Sequence, residues 1–191
     1  MSAQRAQAGA PPRLLDEAAF HRTVTRLAHE LVERHAGEQL LLVGIRTRGI
    51  PLAQRLAIAI EAINAVAPRV LAVDAREYRD DRPRPLEPAG PALVTLDGAP
   101  LPALESSTVV LVDDVLYTGR TQRAALDALL SVGSPASVEV LVLVDRGHRE
   151  LPLRATYVGK NVPTSSGDRV AVRVREVDGV DGAWLIEEPA S

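Results

Sequence analysis

Residues 109–121 read VVLVDDVLYTGRT, an apolar run that leads into two adjacent carboxylates and then into a short turn. Asp113 and Asp114 repel each other, and burying either of them without a partner is costly. The pair therefore indicates contact with hydroxyl groups or with a metal ion. The turn that follows predicts the start of a helix, where free backbone N–H groups and the helix dipole favour a phosphate.

The same string combines acids for sugar hydroxyls with a cradle for a phosphate, which describes a site for a ribose 5-phosphate. Thr118 and Thr121 add hydroxyl donors, and Gly119 lets the backbone approach a ligand closely. The alternative is an acidic strand end followed by an ordinary helix N-cap. The full string favours the ribose phosphate site, which two neighbouring aspartates alone would not.

Composition limits the classes of protein that fit. The chain has 191 residues, of which 46% are hydrophobic, and this suits one domain with a packed core. No apolar run reaches the roughly 18 residues of a membrane span. The absence of cysteine excludes disulfides, thiolate zinc sites and cysteine nucleophiles, and it favours a cytoplasmic location. The net charge of −3 confines any nucleic-acid binding to a local patch.

Strands alternate with helices along the chain, which predicts an α/β fold with a mainly parallel central sheet flanked by helices. We expect a flexible tail over residues 1–13 and a single domain over 14–191. The predicted helices span 16–35, 51–63 and 119–131, and the predicted strands span 39–43, 69–74, 108–112 and 137–144. Residues 79–107 hold six prolines and predict a long loop, with a hairpin around Asp97 and Gly98 within 92–101.

Ligands of such sheets bind beyond the carboxyl ends of the strands. Segments 44–49, 113–121 and 145–150 all follow predicted strands, so we expect them at one edge of the sheet. In segment 44–49, two glycines bracket Arg46, Thr47 and Arg48. Exposed amides and guanidinium groups suit a polyanion such as pyrophosphate, although a glycine turn with surface arginines is the alternative.

Residues 109–121 resemble the phosphoribosyl pyrophosphate (PRPP) signature of the type I phosphoribosyltransferases. The resemblance implies their fold, with a small hood subdomain, and a mobile loop over about 77–105 that brings Arg79 to the pyrophosphate. A solvated charge cluster is the alternative for residues 78–81. The resemblance further implies catalytic roles for Asp113, Asp114, Arg79 and Arg48, and Mg²⁺ that arrives with PRPP. The implied contacts with PRPP or UMP are Thr47, Arg48, Asp113, Asp114, Val115, Leu116, Tyr117, Thr118, Gly119, Arg120 and Thr121.

Two further strings, VDRGHRELP at 144–152 and YVGKNVPTS at 157–165, resemble the PyrR family. These bacterial pyrimidine operon attenuation regulators are also uracil phosphoribosyltransferases, and the resemblance covers about residues 14–176. It implies conversion of uracil and PRPP into UMP and diphosphate, with uracil held near Arg146 and Val158 in a hood mainly over 145–186. It also implies a pyr mRNA leader as partner, control by UMP or UTP, and a homodimer or higher oligomer. The implied RNA-binding positions are Thr25, Arg26, His29, His148, Arg149, Arg154 and Lys160.

Two other functions stay open on the sequence alone. A salvage phosphoribosyltransferase without RNA regulation is one, because a polar helix face such as Thr25, Arg26 and His29 is also typical of a solvated surface. A UMP-sensing regulator with little catalytic activity is the other, because Glu77 and the run Arg82, Pro83, Arg84 and Pro85 depart from the family pattern in the loop. Lys160 favours RNA binding, since it is the single lysine beside 21 arginines and supplies a compact ammonium group.

Overall fold

The structure is a computed structural model that describes residues 11–36, 38–81, 91–165 and 167–186. Most of the expected tail and the run 82–85 of the expected loop lie outside the described residues. The first half of the chain forms β1 (Arg13–Leu15), α1 (Glu17–Arg34), β2 (Leu40–Ile45), α2 (Gly49–Asn64), β3 (Arg69–Val73), a 3-10 turn (Arg76–Tyr78) and β4 (Leu93–Thr95). The second half forms β5 (Thr108–Leu116), α3 (Arg120–Leu130), β6 (Ser137–Asp145), β7 (Tyr157–Asn161), β8 (Arg169–Arg173), α4 (Arg175–Asp178) and β9 (Gly182–Ile186).

The central sheet has six strands in the order β4-β3-β2-β5-β6-β7. All neighbours are parallel except β4, which pairs antiparallel with β3. Each parallel connection that carries a helix returns the chain to the same edge, so the ends of β2, β5 and β6 lie side by side. The predicted mainly parallel α/β sheet is confirmed.

Helices cover both faces of this sheet. Asp16 begins α1, since its carboxylate accepts a hydrogen bond from the backbone N–H of Ala19 at 2.7 Å and so satisfies a free donor of the first turn. Phe20 and Leu31 of α1 are fully buried and pack with α2 against one face, while α3 packs against the other. Truncation of Leu31 to alanine would cost about 2–5 kcal/mol of stability by leaving a cavity.

A second sheet of three antiparallel strands, in the order β1-β9-β8, forms the hood. Its first strand comes from the N-terminus, because Arg13 pairs with Trp184. The expected tail therefore ends before Arg13, and the prediction that residue 13 belongs to it is wrong. The apolar Leu15 at the end of β1 explains the difference, since its burial in the core holds this strand in place.

Two local predictions also need correction. Residues 93–95 form no hairpin of their own, because β4 pairs with β3 and buries Leu93 in the core below α3. Strand β5 continues past Val112 to Leu116, so Asp113 and Asp114 lie within the last residues of a paired strand. Among the described residues, no helix combines the length and the apolar character that crossing a bilayer requires.

Candidate active site

The two adjacent acids lie at the carboxyl end of β5. Asp113 is buried, and its carboxylate accepts hydrogen bonds from the backbone N–H of Asp114 at 2.9 Å and from the side chain Nε2 of Gln122 at 2.7 Å. Asp114 is half-buried and accepts a hydrogen bond from the backbone N–H of Val115 at 3.0 Å. Backbone N–H groups thus fix both carboxyl groups at the carboxyl end of β5.

The surroundings of the two acids give them different affinities for a proton. Burial raises the pKa of Asp113 well above its usual range, and the neighbouring charge of Asp114 raises it further. Burial also raises the pKa of Asp114, but a hydrogen bond with Asp113 and the positive charge of Arg48 oppose this rise. Asp113 is therefore the member of the pair that keeps its proton to the higher pH.

The turn 117–121, which we call the phosphate loop, joins β5 to α3. Gly119 has a φ of 90°, a left-handed conformation that favours glycine, and α3 begins at the next residue, Arg120. Thr118 and Thr121 line an open cleft of about 610 Å³ together with Val115. The cleft combines hydroxyl groups with the N-terminus of a helix of 11 residues, which suits an anion.

Residues 78–81, the start of the expected mobile loop, lie against this phosphate loop. The Nη1 of Arg79 donates a hydrogen bond to Oγ1 of Thr121 at 2.8 Å, and the rest of its guanidinium group pairs with Asp81. Asp80 pairs with Arg120 at 3.0 Å. The structure thus places Arg79 beside the phosphate loop, whereas the resemblance implied a position at the pyrophosphate, and it places the carboxylates of Asp80 and Asp81 next to it.

The segment 44–49, which we call the pyrophosphate loop, follows β2 at the same edge. Thr47 is exposed, and the peptide bond that precedes it is cis. Arg48 makes a bidentate pair with Asp178 of α4, with its Nε 2.9 Å and its Nη2 2.8 Å from the two carboxylate oxygens. Arg48, the residue predicted to bind pyrophosphate, is therefore held by Asp178.

The predicted uracil residues belong to neighbouring segments, since Arg146 follows β6 and Val158 lies in β7. Arg146 is buried, its Cζ lies 4.0 Å from the ring centroid of Tyr117, and its guanidinium group donates to Oγ1 of Thr164 at 3.3 Å. Val158, the second residue of β7, pairs with Val142 of β6, which in turn pairs with Asp113 of β5, so Val158 lies level with the acid pair two strands away. The carbonyl oxygen of Val158 accepts a hydrogen bond from Arg26 at 3.1 Å, so this group faces α1.

The predicted RNA positions fall into two groups. Around α1 and β7, Arg26 donates to the carbonyl oxygen of Gly159 at 2.7 Å, next to the exposed Lys160. The polar side chains of Thr25 and His29 lie on the same helix, with His29 exposed.

The second group of RNA positions lies beside the phosphate loop. The exposed His148 has its ring centroid 5.9 Å from that of Tyr117, and Arg154 is also exposed. Arg149 is turned inward, since it pairs with Asp145 and donates to the carbonyl oxygen of Tyr117 at 2.7 Å. The charge of Arg149 is thus largely neutralised by Asp145 within the protein.

Two functional partners were not predicted from the sequence. Gln122 had a signal, because it is a polar residue on the buried face of α3 beside Ala124, Ala125 and Ala128. Asp178 had none, since its pairing with Arg48 depends on how the hood folds back over the sheet.

Comparison with known proteins identifies relatives of the whole chain. The model of the phosphoribosyl transferase domain family matches residues 13–174. "Bifunctional protein PyrR" of Roseiflexus sp. (strain RS-1) is 52% identical over 182 residues, covering 94% of this chain and 97% of that protein. The protein of the same name from Bacillus subtilis (strain 168) is 51% identical over 176 residues, covering 91% and 96%.

Solved structures support the fold independently. A hypoxanthine phosphoribosyltransferase from Staphylococcus aureus superimposes with a TM-score of 0.68 at 20% identity, covering 97% of this chain and 98% of that one. The hypoxanthine phosphoribosyltransferase from Trypanosoma cruzi in complex with the product IMP gives a TM-score of 0.68 at 17% identity, covering 96% and 98%. At such low identity these structures show the shared architecture alone.

Proposed function

This chain belongs to the phosphoribosyltransferase family and, within it, to the bifunctional PyrR proteins, and we propose that it converts uracil and PRPP into UMP and diphosphate and also binds RNA. The RNA half regulates pyrimidine genes in response to uridine nucleotides. The observation that carries the enzyme half is one sheet edge that holds the acid pair of β5, the phosphate loop and two arginines. We further propose that the protein is cytoplasmic and acts as a homo-oligomer.

The acid pair and the phosphate loop provide the ribose phosphate site. Asp113 and Asp114 accept hydrogen bonds from the ribose hydroxyl groups, for which ionised carboxylates are strong acceptors. The 5-phosphate lies at the N-terminus of α3, where Thr118 and Thr121 donate their hydroxyl groups.

Arg48 and Arg79 bind the diphosphate that leaves. Both guanidinium groups are already paired with carboxylates, Arg48 with Asp178 and Arg79 with Asp81. Binding of PRPP therefore exchanges a carboxylate for a phosphate oxygen at each arginine. Negative charge that grows on the leaving group is stabilised by these fixed cations, which is the main way in which such a site accelerates the transfer.

The acid pair also fits Mg²⁺ that arrives with PRPP. In the described part of the chain, no cluster of three or more His, Cys, Asp or Glu side chains is arranged to hold a metal ion. Mg²⁺ usually binds one or two carboxylates together with substrate phosphates and water, and Asp113 and Asp114 supply two carboxylates. When bound, the ion would neutralise charge on the diphosphate.

Arg146 remains the residue that we assign to uracil. Its contacts with Thr164 and with the ring of Tyr117 fix the guanidinium group above the phosphate loop. A small, neutral, planar base needs a few directed hydrogen bonds, which a fixed guanidinium group can supply. Val158 is less suited to this role, because its carbonyl oxygen already accepts a hydrogen bond from Arg26.

For RNA, we propose contacts with Arg26, Lys160, His29 and His148. Single-stranded RNA is recognised by hydrogen bonds and by stacking of splayed bases, while cations hold its phosphates. Arg26, which also pairs with Glu30, contacts β7 next to Lys160, so both cations lie in one region of a chain whose net charge is −3. A local basic patch is what RNA binding by an acidic protein requires.

The enzyme half is tested by uracil-dependent release of diphosphate from Mg–PRPP. We expect turnover by the purified protein, a strong loss in Asp114→Asn, and no loss in Asp97→Asn, which changes an exposed acid of a distant turn. If the folded protein releases no diphosphate, the enzyme half is wrong and a regulator that senses UMP is the better description.

The RNA half is tested by titration with RNA transcribed from upstream of the organism's own pyrimidine biosynthesis genes, with and without UMP. We expect UMP to strengthen binding, and His148→Ala or Lys160→Ala to weaken it. Absence of binding at modest salt, in protein that still makes UMP, would indicate a salvage enzyme.

A further inference from the structure

The outer face of the hood sheet carries arginines around a tryptophan. Trp184 of β9 lies opposite Arg13 of β1 and Ala171 of β8 in the strand register. The Cζ atoms of Arg13 and Arg173 each lie 5.3 Å from the ring centroid of Trp184. Arg169 shares this face, because it lies four residues before Arg173 on the same strand. We call these four residues, Arg13, Arg169, Arg173 and Trp184, the arginine–tryptophan face.

The opposite face of the same sheet is committed to the core. Leu15, Val172 and Ala183 are buried there, so the alternating side chains must point outward. Trp184 is held against the sheet by Gly182, since a Cβ atom at Gly182 would lie 2.6 Å from Cη2 of the indole. The ring therefore has a defined place on an exposed surface, which a free surface tryptophan would lack.

The arginines of this face differ from their neighbours in their ion pairing, although the charge of Arg173 acts on Asp178. Nearby arginines are neutralised, since Arg55 pairs with Glu176 at 2.8 Å and Arg175 pairs with Glu17. By contrast, no carboxylate of the described ranges forms an ion pair with the three arginines of the arginine–tryptophan face. Three cations beside an aromatic ring complement a polyanion that carries flat, stackable groups.

The face continues the proposed RNA surface without a gap. Arg26 contacts the carbonyl oxygen of Gly159, and the next residue, Lys160, donates from Nζ to the carbonyl oxygen of Leu14 at 2.8 Å. Leu14 is the neighbour of Arg13, which lies over Trp184. Direct contacts thus lead from α1 across β7 to the outer face of the hood.

We propose that the arginine–tryptophan face binds an unpaired nucleotide of the RNA, with its base stacked on Trp184 or on a guanidinium plane beside it. Its phosphates lie at Arg169 and Arg173. Bases stack on aromatic rings and on arginine planes in single-stranded RNA recognition. The inference rests on the RNA binding proposed above and adds a second contact region to it.

Trp184 is the single tryptophan of the chain, so its fluorescence reports on this face alone. Titration with the same leader RNA is expected to quench the emission, with the Kd that an electrophoretic shift gives. Trp184→Leu is expected to weaken RNA binding about fivefold to a hundredfold, as loss of one stacked base does. Arg173→Gln is expected to reduce the slope of log Kd against log salt by about one, whereas the matched control Arg69→Gln, on β3 of the central sheet, leaves it unchanged.

Each other outcome overturns the inference in a recognisable way. The second contact region would be refuted if RNA left the emission of the unmodified protein unchanged and Trp184→Leu bound RNA with unchanged affinity. RNA binding that still depends on Lys160 would then leave the proposed function intact. Absence of RNA binding by the unmodified protein would refute both. A smaller oligomer of Trp184→Leu in sedimentation, at unchanged RNA affinity, would assign the face to a contact between copies.

If Trp184→Leu loses its folded circular dichroism signal, the double change of Arg13→Gln and Arg173→Gln replaces it. Both side chains are exposed, so this variant keeps the core. A salt slope that is unchanged in the double variant would refute the inference.

Discussion

Gln122 is the group that tunes the acid pair, and its replacement offers a quantitative test. Its side chain is buried, and its Nε2 donates to the carboxylate of Asp113 at 2.7 Å and to the carbonyl oxygen of Val115 at 3.3 Å. Burial and the charge of Asp114 raise the pKa of Asp113, and the hydrogen bond from Gln122 opposes this rise. The ionised form of Asp113, which the ribose hydroxyls and Mg²⁺ need, therefore depends on Gln122.

The change Gln122→Met keeps the size of the side chain and removes the donor. A hydrogen bond to a charged group contributes about 1.5–3 kcal/mol, and about 1.4 kcal/mol corresponds to a factor of ten. We therefore expect kcat/KM for PRPP to fall about tenfold to a hundredfold on the acid side of its pH profile. The loss should shrink as the pH rises, because Asp113 then ionises even without its donor.

The assay is the initial rate of diphosphate release at low PRPP across the pH range in which the protein stays folded. Gln54→Met is the matched control, because it makes the same chemical change at an exposed residue of α2 that does not contact the acids. An acid limb that stays in place, or a loss that is equal at every pH, would show that Gln122 does not act through the ionisation of Asp113.

Three further changes test separate parts of the proposal. Folding raises the pKa of Asp113, so the folded state keeps this proton to a higher pH than the unfolded chain, and stability falls as the pH rises above the unfolded pKa of about 3.9. Asp113→Asn should therefore melt at a higher temperature than the unmodified protein at neutral pH, while PRPP turnover is lost. Asp178→Asn frees Arg48 for diphosphate and should lower the KM for PRPP by up to about fivefold, since a partly exposed ion pair contributes little; a higher KM contradicts the exchange. Lys160→Gln should reduce the slope of log Kd against log salt in the RNA titration by about one, and an unchanged slope removes Lys160 from the phosphate contacts.

The fold was predictable where its determinants are local. Strands β2, β5 and β6 are nearly continuous apolar runs, as a sheet buried on both faces requires, and their order along the chain with helices between them predicts parallel pairing. Strand β4 was missed, because its three residues carry almost no pattern and its pairing with β3 is decided by burial of Leu93. The same applies to β1, whose partner lies at the other end of the sequence.

The candidate site divides in the same way. The acids and the phosphate loop are contiguous in sequence, so their chemistry could be predicted from one string. The partner of Arg48 could not, since Asp178 is 130 residues away and nothing near it distinguishes it from a surface acid. The position of Val158 could not be predicted for a similar reason, because its place level with Asp113 depends on the register from β5 through β6 to β7.

Tyr117 connects the two proposed activities, and Arg149 allows this connection to be tested. Tyr117 belongs to the phosphate loop, and its carbonyl oxygen accepts a hydrogen bond from Arg149 at 2.7 Å. Since Arg149 is half-buried and also pairs with Asp145, we expect it to transmit the state of the phosphate loop to the neighbouring His148 rather than to hold an RNA phosphate. If UMP changes the affinity for RNA by some factor through this contact, RNA changes the affinity for UMP by the same factor.

Arg149→Met should therefore abolish most of the effect of UMP on RNA affinity and leave the salt dependence of RNA binding unchanged. Lys160→Gln is the matched comparison, because it should change the salt dependence and keep the effect of UMP. If Arg149→Met instead reduces the salt slope by about one and keeps the effect of UMP, then Arg149 binds a phosphate directly. In that case the inward contacts with Tyr117 and Asp145 must open when RNA binds, and the nucleotide signal must reach the RNA surface by another route.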